Sequence, residues 1–298
     1  MQDFSTDSTE DFFNTSSAKL ENALYIVATP IGNMGDMSFR ALQTLKQADF
    51  IICEDTRVTL KILRYYKIPE KKFITYNDHS SETDREKILN LLIQKHSIVL
   101  VSDAGTPLIS DPGYKLVQFL KKYNQKIIPI PGASSPIAAL CASGLACDNF
   151  LFLGFPPTSR IQQIDLLKSL PKNFTAIFFE SANRVIKTLD NISKSLGNRR
   201  VCCARELTKL HEEIVTDEVE KVSEFFEKNP TKLRGEFVII IEKMSRTQQK
   251  LTKEELVKEI KKAMAAGFSV KELSNNLAEI YDLNKKEIYH LALQITKE

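Results

Sequence analysis

From residue 24 onward, short apolar runs alternate with longer stretches that have apolar positions on one side only. The runs 24–28, 50–53, 73–76, 98–101 and 126–130 show little or no polar alternation, the signature of strands buried on both faces. Between them, 39–48, 56–66, 82–95 and 113–123 have helical periodicity. Strand and helix in strict alternation predict an α/β unit with a mostly parallel sheet. A second set follows, with strands at 150–154, 175–179, 201–204 and 236–241 and helices at 160–169, 183–195 and 219–228. A further strand at 212–216 would make that sheet mixed. The two sets meet at Pro129-Ile130-Pro131-Gly132, where a turn is nearly obligatory.

The last fifty or so residues change character. Thr252/Glu255, Ser269/Glu272 and Asn284/Glu287 have capping-box spacing. Leu273, Leu277 and Ile280, then Ile288, Leu291 and Ile295, give helical stripes. The expected organisation is a disordered acidic leader over 1–22, an N-terminal α/β domain over 23–132, a C-terminal α/β domain over 133–245, and a helix-turn-helix-like tail over 246–298. Lys285, Lys286 and Lys297 stand against Glu287 and Glu298 in the final helix, too balanced for DNA readout.

Composition narrows the class. The chain has 298 residues, 43% hydrophobic and 27% charged, with ten glycines and eleven prolines, which excludes fibrous and disordered chains. The net charge of +3 conceals an asymmetry: residues 1–22 hold five acids against Lys19, leaving +7 on the remainder, a body able to attract a polyanion. The five cysteines form no C-x-x-C pair, and the four histidines lie at no ligand spacing from them. Free thiols in a reducing, cytoplasmic compartment and no metal are expected. The uncharged run 127–147 is broken by Pro129, Pro131, Gly132, Pro136 and Gly144, which argues against a membrane span.

Ligands of open α/β sheets gather on loops leaving the carboxyl ends of strands. Four such loops stand out. Thr29-Pro30-Ile31-Gly32-Asn33-Met34-Gly35-Asp36 is neither a Walker loop nor a dinucleotide fingerprint, and serves either a ligand or a tight turn. Glu54-Asp55-Thr56-Arg57 either binds substrate or caps the next helix. Ser102 to Gly113 holds two Asp, two Pro and two Gly in twelve residues, long for a strand-to-helix connection, and points to ligand binding. Pro129-Ile130-Pro131-Gly132-Ala133-Ser134-Ser135-Pro136 opens a helix with small hydroxylated residues that can hold a polar ligand or cap.

These loops, together with Phe178-Phe179-Glu180-Ser181-Ala182-Asn183-Arg184, the stretch Ala204 to Glu212 and Gly235-Glu236-Phe237-Val238, give the chain a resemblance. It resembles the tetrapyrrole-methylase-type S-adenosylmethionine (SAM) methyltransferases over about 23–245, and more closely the branch of that superfamily that acts on small-subunit ribosomal RNA. The resemblance implies a class III SAM methyltransferase fold with a cofactor cleft between two α/β domains. It implies 2′-O-methylation of a cytidine in the decoding region of 16S rRNA by a homodimer. SAM is then expected at Pro30, Asp103, Gly105, Thr106, Ile109, Ser134, Ser135 and Ala204. The candidate bases are Glu180 first, then Glu54 and Asp55; Glu180 also stands four residues before Arg184, spacing that equally suits a structural ion pair. RNA phosphates are expected on Arg57, Arg184, Arg205 and Lys209, with Lys61 and Arg64 among further basic candidates. Gly132-Ala133-Ser134-Ser135 departs from the Gly-Pro-Ser common in relatives, and the leader is extra. Two other functions share these features: a tetrapyrrole C-methyltransferase acting on a porphyrinoid, and a non-catalytic RNA-binding or assembly module.

Overall fold

The computed structural model describes residues 19–244, 252–281 and 283–297. The expected leader falls almost wholly outside the described residues.

Five strands, β1 (Leu24–Val27), β2 (Phe50–Cys53), β3 (Lys72–Thr75), β4 (Ile98–Leu100) and β5 (Ile127–Ile130), form a sheet of order β3-β2-β4-β1-β5. Every pairing in it is parallel. The uniform apolar runs reflect helices on both faces. Tyr25 and Val27 pack with Ala41, Leu42 and Leu45 of α1 (Phe39–Gln47) and Ile62 and Leu63 of α2 (Thr56–Tyr65). Leu24, Ile52 and Ile98 pack on the other face against Ile88 and Leu92 of α3 (Glu82–Ile93) and Leu116 and Leu120 of α4 (Tyr114–Lys122).

The helix α5 (Ser135–Ala142) leads into a second sheet. Its strands are β6 (Phe150–Phe152), β7 (Thr175–Ser181), β8 (Arg200–Arg205), β9 (Glu213–Glu218) and β10 (Glu236–Ile241), in the order β6-β7-β10-β8-β9. This sheet is mixed: β6 and β7 are parallel, whereas β10 runs antiparallel to both β7 and β8, and β9 antiparallel to β8. One face is covered by α6 (Arg160–Ser169), α7 (Val185–Leu196) and α8 (Val219–Lys228) through Leu167, Leu189, Ile192, Val222 and Phe226. Ala139 and Leu140 of α5 cover the other face, where Ile31 of the first lobe also packs.

The tail is three helices, α9 (Lys253–Ala265), α10 (Val270–Tyr281) and α11 (Lys285–Lys297), around Ile260, Leu273, Leu277, Ile288 and Ala292. Thr252/Glu255 and Ser269/Glu272 form reciprocal capping boxes. Asn284 instead accepts from the Lys286 N–H. Ile280 leaves the expected stripe: it is 51% exposed, and Ala278 and Tyr281 pack against the core in its place. All five cysteines are free thiols, three of them buried. Among the described residues, no helix is long and apolar enough to cross a membrane.

Phe226 is fully buried and makes edge contacts with Phe225 and Phe237 that join α8 to the sheet. Phe226→Ala should cost about 3–5 kcal/mol in denaturant-induced unfolding through the cavity it leaves.

Candidate active site

Because the first sheet is parallel, the loops after β1, β2, β4 and β5 all emerge at one edge. Backbone bonds tie them into one floor. Thr29 N–H donates to the Gly105 carbonyl (2.8 Å), and Gly105 N–H donates back (3.0 Å), joining the first loop to the third. The Thr29 hydroxyl donates to the Ser102 carbonyl (3.2 Å), and the Thr106 hydroxyl to the Ala133 carbonyl (3.0 Å). The Asp103 carboxylate accepts the Asp55 backbone N–H, bringing in the second loop.

The second sheet presents the carboxyl ends of β7 and β8 to this floor. The amino end of β10 lies between them, since Phe237 is in register with both Glu180 and Arg205. The lobes touch at the rim. A Cβ added to Gly32 would lie 2.5 Å from Lys209 Cγ and 2.8 Å from the Leu207 carbonyl oxygen, so only glycine allows that approach.

Between floor and roof lies a cleft of about 380 Å³, within the usual range for small-molecule sites. The floor contributes Asp103, Gly105, Thr106, Ile109, Asp111, Ser134 and Ser135; the roof contributes Phe155, Phe179, Glu206, Lys209 and 235–238. The backbone is held in the left-handed region at Leu108 and Ser110 below and at Glu206 and Thr208 above. Such conformations concentrate at functional sites. Ser134 occupies the N-cap of α5, but its side chain makes no capping bond, so its hydroxyl is available to the cleft.

Among the charged lining residues, Asp103, Asp111, Glu180, Glu206 and Glu236 stand against Lys209 alone. Burial pushes the Asp111 carboxyl up to about 6, aided by the charges of Glu54, Asp103 and Glu236 and opposed by a hydrogen bond from Ser102. Burial also raises Asp103, with Asp55 adding to it and the Asp55 N–H opposing. Burial works to raise Glu206, but its pairing with Lys209 (2.9 Å) outweighs that, and its carboxyl stays ionised below the usual range. This charge suits a cationic small molecule.

The expected site residues divide. Asp103, Gly105, Thr106, Ile109, Ser134, Ser135, Glu180 and Lys209 meet at the cleft. Pro30 is buried, and its neighbour Ile31 forms the lining instead. Ala204 lies fully buried within β8, short of the lining residues Glu206 and Leu207. Glu54 is exposed at the tip of β2. Asp55 caps α2 by accepting the Arg57 N–H (2.8 Å) and pairs with the exposed Arg57 guanidinium (2.6 Å). These bonds lower its carboxyl to about 2, too weak a base for neutral pH.

Glu180 does line the cleft, but its carboxylate is wholly buried and both oxygens are engaged. Thr188 Oγ1 donates to one (2.6 Å), the Ser181 N–H to the other (2.9 Å), and Arg184 Nε lies 3.3 Å away. Arg184 itself donates to the carbonyls of Pro156 and Pro157, so the pair locks the loop that carries Phe155. Arg205 is buried against Glu213 (3.0 Å). Arg184 and Arg205 are thus committed internally rather than presented to a polyanion.

Phe155, Phe179, Asp111 and the start of β10 are cleft residues that sequence reasoning missed as site residues. For Asp111 the signal was present, in the excess length of its loop. For β10 it lay in strand direction, which periodicity does not encode.

Residues 23–223 match the family described as Tetrapyrrole (Corrin/Porphyrin) Methylases. A relative from Rickettsia prowazekii, "Ribosomal RNA small subunit methyltransferase I", is 42% identical over 273 residues, covering 91% of this chain and 96% of its own. One of the same name from Halalkalibacterium halodurans is 40% identical, covering 91% and 94%. Among solved structures, a cobalt precorrin-4 methyltransferase superposes with TM-score 0.54 at 19% identity, covering 74% of this chain and 95% of that one. A diphthine synthase superposes with TM-score 0.55 at 14% identity, covering 74% and 90%. These superpositions show the shared fold.

Glu180→Ala would strand the Thr188 hydroxyl, the Ser181 N–H and the Arg184 charge. Denaturant unfolding should register a loss of about 3–5 kcal/mol, as for a broken buried pair.

Proposed function

The chain belongs to the tetrapyrrole methylase family of SAM-dependent methyltransferases, and from that premise we propose that it methylates the ribose 2′-hydroxyl of a cytidine in the decoding region of 16S rRNA. The observation that carries this reading is similarity over nine-tenths of the chain to relatives named for action on small-subunit ribosomal RNA. Two α/β domains over 23–132 and 133–245 and an accessory tail over 246–298 belong to the same reading, as do a homodimer and a cytoplasmic site of action beside the assembling ribosome.

SAM, when bound, supplies a methyl group on a cationic sulfonium. Gly105 and Thr106 would receive it through the backbone of the strained loop, and Ser134 through its uncommitted hydroxyl. Asp103 and Glu236 would balance its charge. The residues' task is then orientation: holding the hydroxyl in line is worth several kcal/mol of the barrier, and Ile109, Phe155 and Phe179 supply apolar walls to the cleft.

RNA recognition is assigned to α2. Arg57, Lys61 and Arg64 recur at helical spacing on its exposed side, and α2 begins beside the cleft where the Asp55 N–H meets Asp103. Phosphates held there leave a splayed-out nucleotide free to enter. The acidic lining disfavours a polycarboxylate macrocycle, which argues against the porphyrinoid alternative.

Small ribosomal subunits lacking the modification, incubated with labelled SAM and the protein, should gain one 2′-O-methyl in the decoding region. Label appearing in tetrapyrroles instead, or none at all, overturns the proposal. Replacing Arg57, Lys61 and Arg64 together by alanine should weaken subunit binding and flatten its salt dependence, by about 0.7–0.9 in log–log slope for each phosphate no longer neutralised. A slope equal to wild type would exclude α2 from the RNA interface.

A further inference from the structure

Asp111 has a placement that capping and loop closure leave unexplained. It follows Ser110, held at φ 65, and precedes Gly113, held at φ 129, and it lines the cleft. It does not cap α4, whose N-cap is Gly113 with no side-chain bond. Three carboxylates face it: Glu54 from the tip of β2, Asp103 from its own loop, and Glu236 across the cleft from β10.

Its hydrogen-bond partner, Ser102, is the informative neighbour. The Ser102 hydroxyl owns one proton but faces three acceptors: the Ala104 carbonyl at 3.3 Å, the Gly105 carbonyl at 3.2 Å and the Asp111 carboxyl. With Asp111 ionised, that proton must serve the carboxylate and desert the carbonyls. With Asp111 protonated, the carboxyl donates to Ser102 Oγ, and the hydroxyl is released to the carbonyls. The Gly105 carbonyl keeps the Thr29 N–H in either case, so Ser102 can turn to Asp111 in both of its protonation states.

We propose that Asp111 is the general base that removes the proton from the attacking ribose hydroxyl, with Ser102 as the donor that steadies its carboxylate until that proton arrives. The inference rests on the ribose reading above. As the hydroxyl oxygen bonds to the methyl carbon, its proton passes to Asp111, and the electron pair of the broken C–S bond stays on sulfur. A cation and a carboxylate enter; a neutral thioether and a carboxylic acid leave. The other candidates are less suited: Glu180 has no free oxygen, and Asp55 is clamped by Arg57.

The test compares wild type with Asp111→Asn, Asp111→Glu and Ser102→Ala, using labelled SAM and small ribosomal subunits. Asp111→Asn should lower kcat by about 10²–10⁴-fold with calorimetric SAM affinity unchanged, and Asp111→Glu should restore part of the rate. Wild-type kcat should climb with pH to a plateau above about 6, a limb that Asp111→Asn lacks and that Ser102→Ala, by removing the donor to the carboxylate, moves to higher pH. Melting without substrate gives a readout independent of activity. A carboxyl raised from 3.8 to about 6 on folding withdraws stability as pH rises through that interval. Asp111→Asn should therefore melt above wild type at neutral pH, with the gap closing below pH 3.8. Wild-type kcat in Asp111→Asn, loss of its SAM binding, or a melting gap that ignores pH would each overturn the assignment. Failure of wild type itself to methylate subunits would instead overturn the ribose reading, while the melting series would still report how Asp111 titrates.

Discussion

Two backbone hydrogen bonds between Thr29 and Gly105 hold the cleft together. They connect loops leaving neighbouring strands of a parallel sheet, where no hairpin could do so. Through Ser102 and Thr106 the same contact reaches the long loop after β4 and the start of α5. Without it, the first of the four loops would lose its backbone tie to the third. With it, the four form a floor against which a second sheet can be set at small-molecule spacing. The left-handed backbone at Leu108 and Ser110 is a cost this frame sustains.

Charge is partitioned across the site. Carboxylates line the interior of the cleft, where burial raises Asp103 and Asp111. Cations occupy the outer side of α2, in water. A small cation and a polyanion can therefore approach the same opening without competing for the same groups. The Asp55–Arg57 pair, with its guanidinium exposed, stands at the boundary between the two.

Most of the fold was legible because its elements advertise themselves. Strands such as β1 and β4 are uniformly apolar because helices cover both faces, and capping residues announced α9 and α10 directly. The boundary of α7 was less plain, since its N-cap Arg184 has no capping side-chain bond and answers to Glu180 and two prolyl carbonyls instead. The site was half legible. Floor residues follow from the rule that ligands sit at strand carboxyl ends, and Asp103, Thr106 and Ser134 obey it. Glu236 and Phe237 do not, because they begin a strand whose reversal is a property of pairing, not of its own residues. Glu180, Arg184 and Arg205 look chemical in a sequence, yet burial with partners made them structural.

Gly32 sets the aperture in an unusual way. Where it meets Lys209 and Leu207, the lobes approach through main chain and the stem of one lysine, with no bulky side chain interposed. Any side chain at residue 32 would have to push Lys209 and the Leu207 carbonyl away, so the width of the opening is set by the absence of a single carbon atom.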